Sequence, residues 1–208
     1  MATVLLGAAA CGDEGAADDE ALSKSQISRA VLTQGDVPGY RFFDESRAET
    51  DKSARATKKA CQPIVAFAMA PEISAYKNRS ARQSITKSEK PDASYQLILT
   101  SMESEAAAEN ALTELNSAVS ACASGFDVKY SDDRSKIRRV TADKASSDNS
   151  EINILFEYQM GMKIRYVVMQ KGATLIRISA ELQFPSEFAS VPKQIIDEQT
   201  RKLEKIAK

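Results

Sequence analysis

The alternation of apolar and polar positions predicts helices at both ends of the chain and strands through most of its middle. Ile27, Ala30 and Val31 share one helical face, Ser23 and Gln26 form a capping box, and Leu22 can staple onto Ile27. Gly35 and Pro38 end that helix, and residues 39–44 read as a short strand around Tyr40, Phe42 and Phe43. Glu45 to Lys59 is polar and reads as an exposed loop. The apolar stretch from Cys61 to Met69 predicts one or two helical turns, with Pro63 in the first and Pro71 after the last. Ala81–Ser88 and Ala93–Met102 predict two strands. In the second, Tyr95, Leu97 and Leu99 alternate with Gln96, Ile98 and Thr100.

The longest helix is expected from Glu103 to Ser124, with Thr100 and Glu103 as its capping box and Gly125 as its stop. Ala108, Ala111, Leu112, Leu115, Ala118, Val119 and Cys122 fall on one face, so Cys122 points into the core. After a short strand at 126–130 and a turn at Asp132-Asp133, four strands follow in succession. They are Ile137–Ala145, Ile152–Met160, Lys163–Gln170 and Thr174–Phe184, joined by residues 146–150, Gly161 and Gly172. Ser190 is expected to cap a final helix striped by Ile195, Ile196, Gln199, Leu203 and Ile206. The fold class expected is α+β. It is a single domain whose antiparallel sheet, with a C-terminal four-strand meander, packs on an Ala-rich helix and the terminal helices.

Strand parity predicts one dry face and one wet face. Ile152, Ile154, Phe156, Tyr158, Ile164, Tyr166, Val168, Ile176, Ile178 and Leu182 are expected to face the helices. Lys163, Arg165 and Arg177 are expected on the other face, with Leu155, Val167 and Met169 beside them. That mixture suits a ligand with an anionic and an apolar part. It equally suits a solvated face of cross-strand ion pairs, such as Glu157 with a neighbouring base.

The N-terminus changes the picture of where such a domain works. Val4, Leu5 and Leu6 lead into Gly7, three alanines and Cys11, followed by Gly12-Asp13-Glu14. This run is similar to the lipobox of bacterial lipoprotein signal peptides, a resemblance that implies acylation of Cys11 and a membrane tether. The apolar run is far shorter than the roughly 20 residues that span a bilayer. No Lys or Arg precedes Lys24, so either translation starts upstream of Met1 or the segment has been shortened. The expected organisation is a signal remnant with lipobox cysteine at 1–11, an acidic flexible tether at 12–22 and an extracytoplasmic domain at 23–208.

Charge and composition then exclude several chemistries. Residues 1–21 hold five acids and no base, leaving 28 bases against 24 acids in the remainder. That excess is small and scattered, so no nucleic-acid partner is expected. Histidine is absent, which excludes Ser-His-Asp and Cys-His catalysis and any histidine-liganded metal. With Cys11 acylated, Cys61 and Cys122 are an even pair in an oxidising compartment, expected as a disulfide, with a buried pair of thiols as the alternative. Glu103, Glu105 and Glu109 read as acids placed by a helix dipole rather than as catalytic carboxylates. Asp132, Asp133 and Asp148 lack the spacing of a calcium loop. Lys136, Arg138 and Arg139 read as a solvated strand edge, since no aromatic side chains interleave them. No phosphate loop or nucleophile elbow appears. No catalytic residue, metal or cofactor is therefore expected.

The order of these elements carries a wider resemblance. The lipobox cysteine, acidic tether, N-terminal helix and Leu32-Thr33…Asp36-Val37-Pro38-Gly39-Tyr40 are similar to secreted actinobacterial lipoproteins. The Ala-rich helix ending in Ala121-Cys122 and the closing antiparallel strands resemble the sensor-like extracellular domain of such lipoproteins and of some actinobacterial serine/threonine kinases. This chain departs from that domain in having one possible disulfide instead of two and no tryptophan. The resemblance implies the fold and the extracytoplasmic location; the chain as a whole is read as a lipid-anchored binding or sensor-like module, not an enzyme, facing a cell-wall, lipid or protein partner. Two other classes are a carrier, which needs an apolar cavity of roughly 300–1,000 Å³, and a hydrolase, which needs two acids converging in a cleft.

Overall fold

The computed structural model describes residues 21–45, 54–69, 79–89, 92–131, 133–143, 151–182 and 187–206. Cys11 and residues 12–20 of the expected tether lie outside the described residues, as do Asp132, Asp148, Gln183 and Phe184. Among the described residues, nine strands form one antiparallel sheet: β1 (Tyr40–Asp44), β2 (Arg55–Ala56), β3 (Ser80–Lys87), β4 (Ala93–Ser101), β5 (Phe126–Lys129), β6 (Arg134–Asp143), β7 (Glu151–Tyr158), β8 (Lys163–Lys171) and β9 (Thr174–Leu182). Their order across the sheet is β1-β3-β4-β9-β8-β7-β6-β5-β2, so β6 to β9 pair in sequence and β4 joins the free side of β9. The helices are α1 (Lys24–Ala30), α2 (Gln62–Ile64), α3 (Glu105–Ala121) and α4 (Lys193–Ile206). A 3₁₀ turn at Lys59–Cys61 leads into α2, and a π turn at Val65–Met69 leaves it. The fold class is α+β in one domain.

Helix ends follow local chemistry. The Ser23–Gln26 capping box is formed at α1, and Leu22 is buried in the same cluster as Ile27, so the fold begins one residue before the expected boundary. At α3 the expected Thr100–Glu103 box is not used, because Thr100 is held in β4 opposite Leu175. Ser104 caps instead, accepting from the Ala107 amide at 3.2 Å. Gly125 follows α3 with φ +83°, and a β-carbon there would sit 2.2 Å from the Ile137 carbonyl oxygen. No other residue fits that approach. α4 opens at Lys193, behind Pro192, rather than at Ser190.

The expectation of one dry and one wet face is overturned by the register between β8 and β9. A two-residue connection pairs Lys171 with Thr174, so even-numbered positions of β8 face odd-numbered positions of β9. Tyr166 lies opposite Ser179 and Val168 opposite Arg177, while Val167 lies opposite Ile178 and Met169 opposite Ile176. Both faces of these central strands are therefore buried. On one face, Val167, Met169, Ile176 and Ile178 join Ile85, Leu97 and Leu99 under α1 and α4, through Ile27, Ala30, Ile195 and Leu203. On the other, Ile137, Val140, Ile152, Ile154, Phe156, Ile164 and Val168 pack beneath α3 and the turns around Cys61, through Leu112, Leu115 and Val119. The helix layers are thus displaced to opposite sides and opposite halves of the sheet, overlapping at β8 and β9. We call the face under α3 the α3 face and the other the α1/α4 face.

Two further expectations are corrected. The expected loop at 45–59 contains β2 and the fully buried Ala54, because β2 extends the sheet past β5. Lys136, Arg138 and Arg139 are exposed, but β6 is flanked by β5 and β7 and is not an edge. The true edges are β1 and β2, and each receives a glutamine. The Gln34 side chain accepts from the Phe42 amide at 3.2 Å and donates to the Tyr40 carbonyl at 3.4 Å. Gln62 Oε1 accepts from the Ala56 amide at 2.9 Å.

Candidate functional site

Cys61 and Cys122 form a disulfide with Cα atoms 5.9 Å apart, and both cysteines are fully buried. The bond ties the turn before α2 to the end of α3, at the centre of the core beneath α3. Beside it, between α2 and α3, runs a shallow groove of about 330 Å³ lined by Ala60, Pro63, Thr113, Ser117 and Ala121. The groove opens to solvent and encloses nothing.

The expected ligand face does not assemble as one surface. Lys163, Arg165 and Leu155 share the α1/α4 face beyond the helices, where Leu155 pairs with Arg165 in register. Val167 and Met169 share that face but are sealed under α1 and α4. Arg177 points to the opposite face, since β9 has reversed parity against β8. Arg165 is already committed: its guanidinium meets the Asp143 carboxylate at 2.7 Å, and its Nε donates to the Ala189 carbonyl at 2.9 Å. It fastens the approach to α4 onto the sheet. Lys163 lies 5.7 Å from the centre of the Phe188 ring and assists in the same place.

On the α3 face, the same register gathers Arg177, Ser179 and Glu181, which strand parity already puts on one face, with Gln96 and Tyr166, which it does not. Arg177 is 3 % exposed and donates to the Phe67 carbonyl at 2.8 Å and to Gln96 Oε1 at 2.6 Å. Its guanidinium stands 5.6 Å from the Tyr166 ring centre. Burial lowers its pKa to about 10, with the tyrosines opposing that shift, so it remains a cation at neutral pH. Gln96 in turn donates to the Glu45 carboxylate at 3.1 Å, so its amide is oriented from both ends. Tyr158 and Tyr166 share a hydrogen bond between their hydroxyls, and burial raises the pKa of both. Glu181, half-buried on the same face, is also raised by burial. Along β9, Arg177, Ser179 and Glu181 thus present a guanidinium, a hydroxyl and a carboxyl in alternate positions. The signal that could have found this cluster is Arg177 within the otherwise apolar stretch Leu175–Ile178.

This arrangement can orient and read a polar group. Among the described residues, no group of three or more acids and cysteines is placed to hold a metal ion. No described helix is long and apolar enough to cross a membrane.

No protein-family model matches the sequence, and a search of curated proteins finds no match. Solved structures do match. The extracellular domain of PknH from Mycobacterium tuberculosis aligns over 90% of this chain and 97% of its own, with a TM-score of 0.59 and 9% identity. The two share a fold. A protein from Mycobacterium smegmatis, an ortholog of Rv0999, aligns over 92% of this chain and 98% of its own at a TM-score of 0.34 and 6% identity. The likeness to the PknH domain carries the architecture alone. At 9% identity it assigns no role to any residue of the Arg177 cluster.

Proposed function

We propose that this chain is an extracytoplasmic, membrane-anchored, sensor-like binding module that works by recognition and not by catalysis. The observation that carries the reading is the fully buried Cys61–Cys122 disulfide. Such bonds persist in oxidising compartments outside the cytoplasm and are rare within it. The shared fold with an extracellular domain supports the same compartment. The lipobox-like run ending at Cys11 supplies the anchor, and the acidic segment 12–21 supplies the reach.

Recognition is assigned to the row Gln96, Ser179 and Glu181 on the α3 face, with Arg177 as the positioning residue that fixes Gln96 from behind. The partner is a cell-wall, lipid or protein group able to meet both hydrogen-bond donors and a carboxyl. Lys163, Arg165 and Leu155 serve instead to seat the approach to α4. The test is intact mass of the protein extracted from its native membrane. The expected result is an acylated N-terminal Cys11, an oxidised Cys61–Cys122 pair and a co-purifying ligand. An unacylated Cys11 with both other thiols reduced overturns the reading.

A further inference from the structure

At the β2 end of the sheet, the register sets cations against cations. Arg55 in β2 pairs with Lys129 in β5, and Lys129 pairs with Arg134 in β6, so three bases form one row across the α1/α4 face. Directly opposed residues bring their β-carbons within about 5 Å, and like charges so placed lower sheet stability. Lys136 and Arg139 continue the same face along β6, with Arg138 at the bulge between Ile137 and Arg139. All six are exposed. Asp127 stands opposite Lys136 and Glu157 opposite Arg139. Among the described residues, however, Lys129, Arg134, Lys136, Arg138 and Arg139 form no ion pair. Lys129 against Arg134, with Lys136, Arg138 and Arg139 beside them, makes an exposed cationic patch whose charge suits an anionic partner.

We infer that this patch seats the domain against an anionic phospholipid surface, an inference that rests on the extracytoplasmic, anchored reading above. The cations are spread in two dimensions, about 5 Å apart across strands and about 7 Å apart along them. A planar array of headgroup phosphates matches that spread. A single-stranded nucleic acid needs stacking platforms, and positions 127, 129, 134, 136 and 139 of this face carry no aromatic side chain. An acidic peptide adding as a strand needs the β2 edge, and Gln62 already occupies the Ala56 amide there. The tether also joins the fold on the right side, since α1 packs on the face that bears the patch.

The experiment is co-sedimentation of the full chain, made without acylation, with vesicles of phosphatidylglycerol in phosphatidylcholine or of phosphatidylcholine alone. Binding is expected only with phosphatidylglycerol, and raised salt should weaken it. Charge reversal by Lys129→Glu with Arg134→Glu should lower partitioning about tenfold or more. The conservative pair Lys129→Arg with Arg134→Lys should keep it. Should the reversal variant fail to fold, the neutral pair Lys129→Gln with Arg134→Gln gives the same reading with a smaller loss. Unchanged partitioning by a folded charge variant, or no binding of the parent to phosphatidylglycerol, overturns the inference. So does tighter binding to soluble inorganic polyphosphate than to vesicles, which marks a polymer site instead. Because the protein used carries no acyl chain, these outcomes are independent of whether Cys11 is lipidated in the cell.

Discussion

The two halves of the sheet solve the same problem by different means. In the half ending at β2, the core beneath α3 is locked covalently, with Cys61–Cys122 joining two segments 61 residues apart in the chain. In the half ending at β1, α1 and α4 come from opposite ends of the chain and are joined without a covalent link. Gln199, fully buried in α4, accepts from the Leu32 amide at 3.1 Å and donates to the Ala30 carbonyl at 2.9 Å. One turn on, the Lys202 ammonium meets the Val31 carbonyl at 2.8 Å and the Asp36 carboxylate at 2.6 Å. The difference teaches where each half is vulnerable: one to reduction, the other to loss of a few hydrogen bonds.

Three variants sharpen that contrast. The largest effect is expected from Cys61→Ser with Cys122→Ser, which releases a loop worth roughly 4 kcal/mol in the chain-entropy account. Hydrogen exchange should then rise first in α3 and β5, while α1 and α4 stay protected. Uniform loss of protection in both halves would show that the cores are not separable. Gln199→Leu comes next, at about 2 kcal/mol, because it leaves the Leu32 amide and the Ala30 carbonyl without their buried partner. Denaturant unfolding should show that loss, with exchange rising first in α1. The smallest is Lys202→Met, at about 1 kcal/mol for a partly exposed pair. Burial alone would raise the Asp36 pKa, but the Lys202 ammonium and the Thr33 donors bring it below its usual 3.8. A lowered carboxyl stabilises the fold above its unfolded value and loses that contribution as pH falls through the folded one. Melting temperatures taken below about pH 4 should therefore fall more steeply for the parent than for Lys202→Met.

What could be read from the sequence was whatever local chemistry decides. The Ser23–Gln26 box, the stop at Gly125, the apolar stripe that turned Cys122 inward and the individual strands all follow from residues close in sequence. The relation between strands was harder. In β7, burial alternates strictly, so Ile152, Ile154 and Phe156 announce their face. In β8 and β9, the runs Tyr166–Met169 and Thr174–Ile178 are buried on both sides, and alternation carries no information about register. The two residues between Lys171 and Thr174 fix the pairing, and they placed Arg177 opposite Val168. The expected ligand face was divided for that reason: Arg177, Ser179 and Glu181 fall on the α3 face, while Lys163 and Arg165 fall on the other.

The glutamines at the two margins bear on how this molecule meets others. Where Gln34 engages Tyr40 and Phe42, and Gln62 engages Ala56, a side-chain amide stands in for the neighbour that a border strand would otherwise solicit. A second copy approaching either border must first displace an intramolecular mimic of itself. Bringing many such molecules close together therefore does not invite them to zip edge to edge.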